Sequence, residues 1–396
     1  MKKHIMKRIL VLAFTVVAAL VFLSCSRASV KDNDYTEPER EDIIETEKQD
    51  EDISQGEADD RKEASDNGTV SSDAEAVQFE DKAIENAVRQ HVGKSTGTIL
   101  KSDLTGIKSI TIDKVWNKDE HTIYLGWTEY NGVGKVETIN DLKAFPDLRS
   151  LCIYGPVDDL SILGKLKQLE ELEITNCTYS DISALDNLTN LRRLRLENTD
   201  LTDIGTLENL TNLEALKLGK NQISDISVLS NLTNLTYLDL GTNKLSDISA
   251  LQNLTNLETL YLVQNEIEDI SALEALKNLK LLSMMTNKIS DISPLKDMAE
   301  LTDLNLSDNK ISDISALGGL SNLTNLDLGA NNISNINALA GLSQLERLHL
   351  GGNPIKDISV LKGLSNLQSV SLYSTPISES AIEDLKKALP DTEINY

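Results

Sequence analysis

The chain has 396 residues, 40% hydrophobic but only 4% aromatic, so any sizeable core has to be aliphatic. Its 63 acidic against 38 basic residues leave a net charge of −25, which repels nucleic-acid phosphate and argues against broad electrostatic adhesion to anionic lipid. Length alone admits two or three ordinary domains.

The N-terminus points to membranes by another device. Lys2, Lys3, Lys7 and Arg8 precede an apolar run from Ile9 to Leu23. A run of about fifteen residues suits the h-region of a signal peptide, and is short for a spanning helix, which needs roughly twenty. Phe22-Leu23-Ser24-Cys25 follows and resembles the lipobox of bacterial lipoproteins, with Phe22 where that family favours leucine. The resemblance implies that residues 1–24 are a cleaved signal peptide and that Cys25 is acylated. Two or three acyl chains, at about 0.8 kcal/mol per buried methylene, hold a protein firmly on a bilayer. The alternative is a secreted protein cut near here, with Cys25 incidental.

Residues 25–77 read as an acidic, disordered tether. From Asp32 to Asp66 there are sixteen acidic and four basic residues, without hydrophobic periodicity. Such a segment buries too little surface to offset its ordering entropy, and like charges keep it extended. Residues 78–147 then form an N-terminal cap. Phe79, Ile84, Ala87 and Val88 predict an amphipathic helix over about residues 80–92. Ile107, Ile110 and Ile112 predict a first strand, with Val136, Ile139 and Leu142 on its return path. Between them Tyr124-Leu125-Gly126-Trp127 and Asn131-Gly132 suggest an inserted hairpin.

From 148 to 378 the chain repeats itself every 22 residues. In one unit Leu213, Leu216, Leu218, Ile223, Ile226, Leu229 and Leu232 are apolar. The next sets them at Leu235, Leu238, Leu240, Leu245, Ile248, Leu251 and Leu254. Eleven units recur, the first beginning at Leu148 and the last at Leu367. The alternating end of Leu-x-x-Leu-x-Leu predicts a short strand with its leucines inward, and stacked units share one core. Asn221, Asn243, Asn265, Asn287, Asn309, Asn331 and Asn353 predict a structural ladder, each amide satisfying backbone groups at the corner after the strand. Cys177, Thr199 and Thr375 take that place in outer units. Asp-Ile-Ser, as at Asp225-Ile226-Ser227, starts the return; a carboxylate there caps a short turn, and 22 residues leave room only for 3₁₀-type turns. Residues 379–396 close the array, with Ala381, Ile382, Leu385 and Leu389 on a helix that Pro390 ends. The predicted fold is α/β, a curved right-handed solenoid with a concave parallel β-sheet, convex 3₁₀-type turns and helical caps at both ends.

The unit Leu-x-x-Leu-x-Leu-x-x-Asn-x-Ile-x-Asp-Ile-x-x-Leu resembles the leucine-rich repeat of the internalins, bacterial surface proteins whose concave faces bind host receptors. The likeness spans about residues 148–378, and the entry at Phe79-Glu80-Asp81 is similar to the caps of such proteins. No immunoglobulin-like segment or sorting motif follows the repeats here, so lipid anchoring is expected to take over display. A host receptor is not implied, since free-living bacteria carry such proteins too.

The resemblance implies a surface-displayed, adhesin-like or receptor-like module on the extracytoplasmic face of the cell membrane. It is expected to be monomeric and to take a protein or glycan ligand on the concave sheet. Alternatives are an enzyme-associated lipoprotein and a cytoplasmic phosphatase-regulator-like scaffold. Against catalysis, the four histidines are scattered as His4, His91, His121 and His349, and no metalloprotease, esterase or phosphate-loop motif is present. No cofactor or metal site is expected, and Cys152 and Cys177, pointing to opposite sides of the sheet, are expected to be free thiols. Asn-Leu-Thr triplets, as at Asn187 and Asn209, read as repeat consensus. Outward positions on the sheet are mostly polar, but Tyr237, Tyr261, Val263, Leu281 and Met285 break that rule in three consecutive units. This cluster is the candidate ligand site, with Arg193, Arg195 and His349 as its polar rim.

Overall fold

A computed structural model describes residues 76–112, 122–126, 134–157, 159–178 and 181–396. The expected signal peptide, Cys25, the expected tether to residue 75, Trp127, Asn131-Gly132 and His121 lie outside the described residues.

Among the described residues fourteen parallel strands form one sheet. They are β1 (Ser109–Ile112), β2 (Thr122–Leu125), β3 (Ser150–Tyr154), β4 (Glu171–Thr175), β5 (Arg193–Glu197), β6 (Ala215–Lys217) and β7 (Tyr237–Asp239). After them come β8 (Thr259–Tyr261), β9 (Leu281–Ser283), β10 (Asp303–Asn305), β11 (Asn325–Asp327), β12 (Arg347–His349), β13 (Ser369–Ser371) and β14 (Glu393–Asn395). From β3 to β14 neighbours in sequence are neighbours in space, while β1 sits between β3 and β2. The sheet does not close on itself, and short 3₁₀ turns return the chain along its back. This is the α/β leucine-rich-repeat solenoid, with its sheet on the concave side.

Register explains why the leucines recur. Leu216 lies opposite Leu238, Leu238 opposite Leu260, and Leu260 opposite Leu282, so identical side chains form continuous columns. All four are fully buried. Each such burial contributes about 1.5–3 kcal/mol, which no single unit gains alone.

At the corner after each strand the residue preceding the ladder position adopts a left-handed conformation, as Lys220, Thr242, Gln264 and Thr286 do. Among the described units glycine holds this place at Gly155 after β3 and at Gly352 after β12. The ladder amide then spans two turns. Asn221 donates through Nδ2 to the carbonyls of Leu196 and Leu218, and its Oδ1 accepts from the Thr199 and Leu201 N–H groups. Asn243, Asn265, Asn287, Asn309, Asn331 and Asn353 repeat the donation to the carbonyls 25 and three residues earlier. Among the outer substitutes, the Cys177 thiol donates to the Gly155 carbonyl and the Thr375 hydroxyl to the Leu372 carbonyl. Cys177 is buried and Cys152 half-buried, and the two form no disulfide.

A second asparagine row went unread in the sequence. Asn190, Asn212, Asn234, Asn256 and Asn278 each donate to the carbonyl 23 residues earlier, tying the back of one unit to the next.

The ends are closed differently. Helix α1 (Lys82–Val92) packs Ala83, Ile84, Ala87 and Val88 onto the first strands. Asp81 caps it through the Ala83 and Ile84 N–H groups, while its other oxygen accepts from Glu137 and Thr138. Asp141 in turn accepts from the Glu80 and Asp81 N–H groups. Helix α2 (Glu379–Ala388) covers the far end with Ile382 and Leu385, and β14, which the hydrophobic pattern had not indicated, adds a last strand. In the expected hairpin region the described part, β2, pairs in parallel with β1, and the Val136 N–H bonds the Gly126 carbonyl at 2.7 Å.

Candidate binding face

Side chains between the inward leucines form outward columns across the sheet. Tyr237, Thr259 and Leu281 are successive members of one column, and Asp239, Tyr261 and Ser283 of the next. Val263 and Met285 follow β8 and β9 in a third. The five apolar exceptions therefore meet on adjacent strands, and each is half-buried. The Tyr237 and Tyr261 ring centres are 5.9 Å apart at a 46° tilt, the spacing at which aromatic pairs attract. The Lys217 ammonium sits over the Tyr237 ring, 4.8 Å from its centre, in cation–π range. Beside the pair, Asp239 accepts from the Gly241 N–H at 2.8 Å. Burial pushes its carboxyl upward and Glu197 adds to that, while the Gly241 bond, Lys217 and Arg195 oppose it.

The polar positions divide. Arg193 pairs with Glu171 across the strands, and Arg195 lies between Glu173 and Glu197. Their charges are thus matched within the array on the N-terminal side of the cluster. His349 lies three strands beyond Leu281, on β12. Its Nδ1 is 3.0 Å from Asp327 Oδ1, and that hydrogen bond raises its pKa against the opposing effect of burial. The imidazole lies over two glycines: a Cβ on Gly329 would stand 2.9 Å from Cε1, and one on Gly351 3.0 Å from Nε2. Tyr237, Tyr261, Val263, Leu281 and Met285 are therefore brought together, whereas Arg193, Arg195 and His349 flank them at a distance. Lys217, Asp239 and Arg347 share the face and were not singled out from the sequence. They stand at the same repeat positions, where polar side chains are the rule and so carry no distinguishing signal in the sequence.

Among the described residues no group of three or more metal-ligating side chains occurs, and no helix is long and apolar enough to cross a membrane.

The geometry is that of leucine-rich-repeat proteins. Family models described as "Leucine Rich repeats (2 copies)" match residues 189–231, 211–253, 255–297 and 343–387, and "Leucine rich repeat" matches 290–333 and 300–355. A crystal structure of the internalin inlF of Listeria monocytogenes is 30% identical, with a TM-score of 0.65, covering 80% of this chain and 95% of that one. The functional domain of InlJ from the same organism, described as including a cysteine ladder, shares the fold at 20% identity and a TM-score of 0.62. That match covers 80% of this chain and 69% of the other. Curated protein sequences give no match. The chain belongs to the internalin-like leucine-rich-repeat family, a class whose repeats serve typically for binding rather than catalysis.

Proposed function

We propose that this protein is a surface-displayed binding protein, held to the membrane through acylated Cys25, that captures a protein ligand on its concave sheet. One observation carries the ligand site: five apolar side chains cluster on three adjacent strands of a mostly polar surface, and two are a packed tyrosine pair. Partly exposed apolar clusters of this kind supply the few residues that dominate binding energy, because burying the rest of their surface releases water without breaking hydrogen bonds. Tyrosine suits the purpose, with a large contact area and few rotamers to freeze.

The test is the double substitution Tyr261→Ala with Met285→Asp, comparing melting and the capture of partners from surface extracts with the unaltered chain. We expect capture lost and melting lowered only slightly, by the loss of the Tyr237–Tyr261 contact, since both side chains lie outside the leucine core. Unchanged capture places the ligand elsewhere.

A further inference from the structure

The C-terminal half of the sheet carries an arginine set up differently from all the others described. Arg89, Arg149, Arg192, Arg193 and Arg195 each form an ion pair with a glutamate. Arg347 does not. Its register partner on β11 is Asn325, whose Oδ1 accepts from Arg347 Nη1 at 3.1 Å. The Asn325 amide nitrogen meanwhile donates to Asp303 Oδ1 at 2.5 Å. A neutral side chain thus stands between Arg347 and the nearest carboxylate of that column, orienting the guanidinium without cancelling its charge. At the equivalent place on β5 the partner of Arg193 is Glu171, and the pair is closed.

Two residues along β12, pointing the same way, is His349. Neighbouring outward side chains on one strand stand about 7 Å apart, close enough for both to contact a single ligand group. The ring is fixed by Asp327 through Nδ1, and Gly329 and Gly351 leave the space in which it lies. Arg347 and His349 are the only basic residues in the five strands from β10 to β14. Both are exposed.

We propose that Arg347 and His349 form a carboxylate-binding subsite, which takes an acidic side chain of the ligand held on this face. The inference deepens the concave-face reading above and rests on it. A monoanion fits better than a phosphate dianion, because Asp327 already supplies one negative charge beside the imidazole and the chain as a whole carries −25. Arginine offers a carboxylate two parallel donors, and Asn325 occupies only part of the guanidinium. From β9 to β12 is three strand spacings, about 14 Å. A ligand segment crossing the sheet would therefore place its acid about four extended residues from its apolar anchor.

The subsite is tested with acetate as the probe, on the full-length chain in detergent, by NMR of labelled histidine Cε1 and arginine Nε atoms. His91 and His121 act as internal controls. Acetate is expected to shift the Arg347 and His349 signals along a saturable curve that neither acetamide nor equal chloride reproduces. Arg347→Gln and His349→Gln should each weaken the response by about threefold or more. Asn325→Asp leaves both residues in place but gives Arg347 an internal carboxylate, and should abolish it. The proposal is overturned by shifts no larger than those of chloride, by equal shifts at the control histidines, by tighter saturation with inorganic phosphate, or by an undiminished response in Asn325→Asp. Acetate binding does not involve Tyr261 or Met285, so failure here leaves the apolar site standing, and failure there leaves this subsite standing.

Discussion

Asn287 shows what one side chain does in this fold. Its Nδ2 donates to the Leu262 and Met284 carbonyls at 2.9 and 3.0 Å, and its Oδ1 accepts from the Ile267 N–H at 3.1 Å. Alanine there strands groups in two consecutive turns. Asn287→Ala is expected to cost about 1–3 kcal/mol, read as a lowered denaturant midpoint; an unmoved midpoint would show that water replaces the amide fully. The recurrence of asparagine made this ladder legible. The left-handed corner beside it was not, because threonine at Thr286 and lysine at Lys220 adopt it where glycine is the usual signal. Nor was the second asparagine row, whose acceptors come from the preceding unit and appear only once units are stacked.

At the scale of elements, the convex turns share one capping device. Asp225, Asp247, Asp291 and Asp357 each accept from the N–H of the serine two residues on, at 2.8 or 2.9 Å. That N–H, then the serine hydroxyl, holds each carboxyl below the usual range. A depressed folded-state pKa gives stability that is present above the unfolded value and lost as pH falls through the folded one. All four are solvent-exposed, so each effect is small and they act by number. In the β11 unit Asn335 makes the same bond to the Asn337 N–H at 3.0 Å with a group that does not titrate. Replacing the four aspartates by asparagine should therefore leave the turns formed and lessen the fall in melting temperature between about pH 5 and pH 3. A fall as steep as in the unaltered chain would assign acid sensitivity to other carboxylates.

At the scale of the whole molecule, the stacked units share one continuous sheet, and the proposed function makes the N-terminal segment its anchor. The −25 charge disfavours adhesion to an anionic bilayer, so under the proposed function membrane attachment depends on acylation alone. Cys25→Ala is expected to move the protein from the detergent phase to the aqueous phase and to abolish acyl labelling. Partitioning equal to that of the unaltered chain would place the anchor elsewhere. The two caps also belong to this scale. An array of identical units has no intrinsic end, and α1 and α2 cover leucine columns that would otherwise meet water.

The sequence by itself determined the repeat, the inward leucines, the ladder positions and the capping aspartates. All of these follow from local periodicity, which a 22-residue register transmits unchanged from unit to unit. It also marked Tyr237, Tyr261, Val263, Leu281 and Met285 as departures from a polar pattern. Only the tertiary structure decided what those departures touch. Strand register sets Tyr237 against Tyr261 diagonally, 5.9 Å apart, and pairs Arg193 with Glu171. The same register leaves Arg347 opposite a neutral Asn325. Residues 22 apart in the chain become neighbours across the sheet, so whether a charge there is cancelled or presented depends on the side chain in the adjacent unit, which no pattern within one unit contains.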